Sequence, residues 1–313
     1  MKGLELSKAY FEAYGLPMLR EQFPALLPYV CAGLTGSGSE CFGFDDDIST
    51  DHDFEPGFCL FLPGEDTVSR RDAFLLERAY DKLPREFRGF RRDLMGPVGG
   101  SRRGVLRTAE YFADKAGTAD GRLSLTQWLS TPDYALAEAV NGEIFFDGLG
   151  EVTAIRERLS RYPEDIRKKK LAAQLLLMAQ SGQYNYMRCV KHGETGAAQL
   201  AVTEFVRHGM QAVFLLNNAY MPYYKWTFRA MRTLPRLSLL AELMEYLLTT
   251  DNSPDMASDK LDVMEGMAAD VIDELQRQGL TQAVCGDLEK HAYSVQDGIG
   301  DGEIRNLHIL ASE

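Results

Sequence analysis

Two aspartates one residue apart, Asp51-His52-Asp53, follow the turn-forming run Gly36-Ser37-Gly38-Ser39 in the stretch from Leu34 to Phe54. An apolar segment leads into the turn, and Asp-x-Asp opens the next apolar run. Side chains alternate along a strand, so on a strand Asp51 and Asp53 share one face while His52 points to the other. Two carboxylates side by side repel, and pick up a proton, unless a cation sits between them. Oxygen-only ligands of this kind suit Mg²⁺, which takes one or two carboxylates together with substrate phosphate oxygens. A Gly-Ser turn permits close backbone approach and presents free N–H groups, which suits the phosphates themselves.

A second group lies far downstream, in Tyr223-Tyr224-Lys225-Trp226-Thr227-Phe228-Arg229-Ala230-Met231-Arg232. Pro222 stands just before it, and the spacing reads as a helix. Lys225, Arg229 and Arg232 fall at i, i+4 and i+7, on one face. In an acidic chain, three cations on one stripe call for a counter-charge, either local acids on a solvated face or a bound triphosphate.

Gly38-Ser39, an eleven-residue spacer from Glu40 to Thr50 with Gly43 four places after the serine, then Asp51-x-Asp53, resembles the signature of the nucleotidyltransferase superfamily. That superfamily includes DNA polymerase β, the aminoglycoside nucleotidyltransferases and the minimal nucleotidyltransferases. Gly36-Ser37 is the alternative register, with a longer spacer. The acidic run into Phe54, joined to Tyr223–Arg229, resembles more narrowly a bacterial family of nucleotidyltransferase-like proteins designated DUF4037.

The resemblance implies Mg²⁺-dependent transfer of a nucleoside monophosphate from an NTP, ATP being the expected one, to a hydroxyl acceptor, with release of pyrophosphate. It implies Asp51 and Asp53 as catalytic metal ligands, and Gly38 and Ser39 with the neighbouring backbone as holders of the phosphates. Lys225, Arg229 and Arg232 would be lent to the nucleotide from a helical C-terminal domain, with the site in the cleft between domains. The superfamily's third carboxylate is expected on the strand Arg103–Thr108, which contains no acid. Glu110, just past it, is the substitute metal ligand, and Asp147 reads as a turn residue. The missing acid motivates an alternative: a catalytically inactive, nucleotide-binding regulatory protein on the same fold.

The elements that must position these groups fall into two textures. From about residue 29 to 160, short apolar runs (29–34, 54–62, 104–108, 143–146) are separated by Gly, Pro and Asp clusters and by amphipathic stretches such as Ser69–Leu83. Beyond Tyr162-Pro163, helical patterns cover 166–181, 196–218, 223–233, 237–248, 258–278 and 287–297. The expectation is an α+β chain: a nucleotidyltransferase-like domain over 1–162, with a mixed β-sheet and helices, then an all-α helical bundle over 163–313.

The 313 residues carry 34 Lys plus Arg against 46 Asp plus Glu, a net charge of −12. That disfavours a protein coating nucleic acid, so a small molecule or another protein's hydroxyl is the expected acceptor. Five cysteines with no Cys-x-x-Cys spacing exclude a disulfide scaffold or zinc ribbon. Met1–Lys8 lacks the apolar core of a signal peptide, and no run of 18 apolar residues occurs, so no membrane partner and a cytoplasmic location are expected. Simpler roles are expected elsewhere: a solvated face for Asp45–Asp47 and for the basic run Arg167–Lys170, core packing for Tyr184–Arg188, and buried apolar positions for Cys31, Cys41 and Cys59.

Overall fold

The computed structural model describes residues 1–51, 54–92 and 103–312. The chain is α+β and divides into two units, one formed by Met1–Leu123 with Tyr134–Ser160, the other by Ser124–Asp133 with Arg161–Glu313.

The first unit is built on a mixed four-stranded sheet. Six strands occur among the described residues: β1 (Cys31–Leu34), β2 (Cys59–Leu62), β3 (Glu86–Phe87), β4 (Phe90–Arg91), β5 (Gly104–Arg107) and β6 (Glu143–Asp147). The sheet order is β5-β2-β1-β6, with β3 and β4 forming a separate two-stranded ribbon. β1 runs antiparallel to β2 and β6, and β2 runs parallel to β5. Each main strand falls on one of the apolar runs, β6 ending one residue past its run at Asp147.

One face of the sheet is covered by the N-terminal helical segment Gly3–Gln22. Tyr10, Phe11, Met18 and Leu19 pack with Ala32, Phe58, Leu60 and Leu62, and Leu76 and Tyr80 of helix Arg70–Asp81 join the same core. The Tyr80 hydroxyl fastens that helix to the start of β2. It accepts from the Phe58 N–H (3.0 Å) and donates to the Phe58 carbonyl (2.9 Å). Cys31, Cys41 and Cys59 are buried as expected, and burial pushes the Cys59 thiol up to about 12.

Asp45 departs from its expected solvated role. It is only 3% exposed and accepts the Gly3 N–H (2.8 Å), while Lys2 also reaches it. Its carboxylate supplies an acceptor to the first turn of helix Gly3–Tyr10, where backbone donors otherwise lack partners. Asp46 and Asp47 are exposed.

The second unit is helical. Helix Glu164–Met178 passes into a π-helical stretch, Ala179–Tyr186, and packs against helices Thr195–Leu216 and Leu288–Asp297. Gly182 makes that packing possible, since a Cβ there would collide with the Phe205 ring. Within the same stretch Tyr186 is buried but Tyr184 is 61% exposed, with the Arg188 guanidinium over its ring, so only part of that segment packs in the core.

The basic run Arg167–Lys170 is not a solvated face. Each residue advances about 100° round a helix, so four consecutive cations point in four directions, and here neighbours are met in each. Arg167 donates to the Leu215 carbonyl (3.1 Å) and pairs with Glu164 (2.8 Å). Lys168 donates to the Gly298 carbonyl (2.9 Å), and Lys169 to the Leu307 carbonyl (2.7 Å) and Gln296 Oε1 (3.0 Å). Lys170 donates to the Leu129 carbonyl (3.3 Å) beside Asp133 (3.6 Å). The run ties helix Glu164–Met178 to four other segments, satisfying carbonyls at their ends. Burial pulls the Lys169 amine down to about 8.

His208, in helix Thr195–Leu216, is buried and its imidazole is pulled down from 6.5 to about 4, first by desolvation and then by the neighbouring Arg207 charge. Its Nδ1 faces Gln174 Oε1 (2.7 Å), and its Nε2 faces Arg207 (3.1 Å) and Glu204 (3.2 Å). Because the folded value lies below the unfolded one, the unfolded chain takes the proton first. The contribution is therefore complete above pH 6.5 and is lost as pH falls toward 4, to a ceiling of about 3 kcal/mol. Urea unfolding between pH 7.5 and 4.5 is expected to show this slope in the wild type and a flatter one in His208→Gln.

Candidate functional site

A cavity of about 700 Å³ in the first unit opens beside the turn that leaves β1. Its walls are that turn, Thr35–Gly38, then residues of β5 ending in Arg107, and the cavity-side faces of helices Arg70–Asp81 and Thr108–Ala116. The volume is in the range of small-molecule sites.

The turn is held open by residues far along the chain. Gly36 sits at φ 125°, a region L side chains rarely adopt. Its N–H donates to Asn141 Oδ1 (2.9 Å), and Asn141 Nδ2 donates back to the Gly36 carbonyl (2.7 Å). The Thr35 hydroxyl donates to the Glu138 carbonyl (2.9 Å). Gly142 crosses directly over the Leu34 carbonyl, where a Cβ would not fit. On the other side Gly38 leaves room for the Glu40 carboxylate, which a Cβ would strike. Glu40 is paired with Arg103 (3.2 Å), and Arg103 also reaches Glu55 (3.2 Å), all three largely shielded from solvent.

The cavity's charges are mixed. Arg70 pairs with Glu65 (2.6 Å), which raises the guanidinium above its ordinary value, and Lys115 pairs with Glu138 (2.7 Å). Arg107, at the end of β5, donates instead to the Pro63 carbonyl (2.6 Å), so its charge meets no carboxylate among the described residues. The Tyr111 hydroxyl is buried in the same wall beside Thr35, and burial raises its phenol well above the usual value. Glu77, Glu110 and Asp114 line the same cavity, so the Arg107 cation and the strained glycine turn suit an anionic ligand that brings a cation of its own.

The expected site residues fall as follows. Gly38 lines the cavity, together with Gly36 and Ser37, while Ser39 opens the 3₁₀ turn Ser39–Phe42 that follows. The turn thus meets the cavity through the Gly36-Ser37 register. Asp51 closes another 3₁₀ turn, Ile48–Asp51, and β2 begins only at Cys59, so Asp51 does not open a strand as the apolar run suggested. Asp53 and His52 lie outside the described residues.

Glu110 is in the first turn of helix Thr108–Ala116, exposed and lining the cavity. β5 itself carries no acid. Among the described residues no three His, Cys, Asp or Glu side chains cluster as metal ligands, and Asp53, the expected co-ligand of Glu110, lies outside them. Lys225 and Arg229 lie on helix Tyr224–Met231 of the second unit, and Arg232 caps its end. Lys225 and Arg229 stand over the Trp226 ring (5.0 and 5.7 Å to the centroid), and Arg232 pairs with Glu245 (2.5 Å).

Sequence reasoning did not single out Asn141, Arg107 or Tyr111. Asn141-Gly142 is a turn signal, but its partner lies 105 residues earlier, which no local pattern reveals.

Residues 128–227 match the family model described as a domain of unknown function, DUF4037. The matched stretch takes in the second motif as far as Thr227, and the Gly-Ser and Asp-x-Asp segment lies outside it. A crystal structure of a nucleotidyltransferase-like protein from Exiguobacterium sibiricum aligns over 93% of this chain and 81% of its own, at 13% identity and a TM-score of 0.37. No curated protein matches the chain in sequence. Among the described residues, no helix is long and apolar enough to cross a membrane.

Proposed function

We propose that this protein binds a nucleoside triphosphate with its phosphates against the Gly36-Ser37-Gly38 turn and transfers the nucleoside monophosphate to a hydroxyl acceptor, releasing pyrophosphate. The observation that carries the reading is the cavity at that turn, with Arg107 as a cation free of carboxylates among the described residues. Backbone N–H groups and a guanidinium together suit phosphate oxygens. In this reading Asp51 and Asp53 hold the Mg²⁺ that accompanies the triphosphate. ATP is the first triphosphate to try, and a small molecule or a protein hydroxyl the first acceptor. A second reading, nucleotide binding without turnover, is favoured by β5, which ends in Arg107 where the superfamily pattern asks for a carboxylate.

Calorimetric titration with ATP, GTP, CTP and UTP, with and without Mg²⁺, together with an assay for pyrophosphate release, tests the reading. Mg²⁺-dependent binding with pyrophosphate release supports transfer. Binding with no release across a panel of hydroxyl acceptors favours the second reading. No binding of any triphosphate removes both.

A further inference from the structure

We infer that Phe74 is the residue on which the nucleobase stacks, so that the bound triphosphate spans the cavity from the Gly36-Ser37-Gly38 turn to helix Arg70–Asp81. The inference rests on the nucleotide reading above and deepens it by assigning the base a position.

Helix Arg70–Asp81 is fixed at its start by Ser69, whose hydroxyl accepts the Asp72 N–H (3.1 Å). From that start the helix has two working faces. Leu76 and Tyr80 enter the core, while Arg70, Ala73, Phe74 and Glu77, at i, i+3, i+4 and i+7, line the cavity. The core face explains itself, but the cavity face contains a large aromatic that nothing covers.

Phe74 is 58% exposed. An exposed apolar residue is by itself ordinary. What separates Phe74 from Leu75, Ile48 or Val284 is its place: it is the exposed large apolar residue among those lining the cavity. It also has no ring partner among the described residues. The other aromatic in that wall is engaged, with Tyr111 meeting Phe61 at 5.0 Å and Phe112 at 5.2 Å between centroids. A ring with an open face beside a phosphate-suited turn offers what a nucleotide needs at its other end, because every base has a π-face and stacking tolerates any of them. Larger purine rings cover more of the Phe74 face, so purine triphosphates are expected to bind more tightly than pyrimidine ones.

Calorimetry on the full chain with Mg²⁺, comparing ATP, CTP and inorganic tripolyphosphate, separates the base from the phosphates. Phe74→Ala is expected to weaken ATP about 10- to 100-fold and leave tripolyphosphate unchanged, with Phe74→Trp restoring ATP affinity. Equal ATP binding by wild type and Phe74→Ala overturns the inference and leaves the nucleotide reading standing. Parallel weakening of ATP and tripolyphosphate also overturns it, since the ring would then be supporting the site as a whole. Failure of the wild type to bind either probe overturns the inference and the nucleotide reading together.

Discussion

Asp51→Asn and Asp53→Asn each abolish nucleotidyl transfer and leave the fold intact: this is the expected result with the largest effect on activity. Asn keeps the size and polarity of Asp and removes only the negative charge. A metal ion that activates the attacking hydroxyl and neutralises phosphate charge contributes several kcal/mol to the transition state. Losing one charged ligand is then expected to cost about 4 kcal/mol, roughly 1000-fold in rate.

Asp51 sits in a connecting 3₁₀ turn ahead of β2, not within a sheet strand, so its replacement by an isosteric amide is not expected to disturb the sheet. The assay is pyrophosphate release with each of the four triphosphates, with circular dichroism as the control for folding. Turnover retained by both variants would sink the metal assignment. Loss of turnover with triphosphate binding preserved would place the two acids in the chemical step.

The largest expected effect on stability is at Arg103. Its guanidinium bridges Glu40 and Glu55 at 3.2 Å each, with Glu40 and Arg103 both 11% exposed in their side chains. Arg103→Met leaves the Glu40 carboxylate in a shielded place without this cation. Breaking a buried pair by removing one partner costs about 3–5 kcal/mol, because the remaining charge is neither solvated nor paired. A thermal midpoint lower by at least about 6 °C is expected.

Adding Glu40→Gln to the same chain is expected to recover part of that loss, since a neutral amide tolerates the site better than an unpaired carboxylate. A loss below about 1 kcal/mol for Arg103→Met would show that the cluster behaves like a solvated surface bridge. Glu40 occupies the space that glycine leaves at position 38. Loosening it also frees the turn, so weaker triphosphate binding should accompany the lower midpoint.

Much of the fold was legible in the sequence because its signals are local. The amphipathic stretch Ser69–Leu83 contains helix Arg70–Asp81, and the helical patterns past Pro163 appear as helices within a few residues of their expected limits. The apolar runs coincide with β1, β2, β5 and β6, although only the last four residues of the run 54–62 pair into the sheet. Pattern shows that a segment can be a strand, and pairing decides how much of it is one. Arg167–Lys170 shows the limit clearly. Four consecutive cations look like a solvated face, and only the packing of other segments around that helix turns each into a donor for a carbonyl.

By itself the sequence determined the α+β character, the Gly-Ser turn that follows the first apolar run, and the DUF4037 resemblance that the match over 128–227 bears out. These follow from residue type and short-range spacing. The tertiary structure alone decided that Asn141 grips the turn at Gly36, that Glu40 and Arg103 lie beneath Gly38, and that Arg107, Tyr111 and Phe74 line one cavity with it. Those neighbours come from strands and helices tens of residues apart, and the free energy that brings them together is the burial of the sheet's apolar face, which no local pattern encodes.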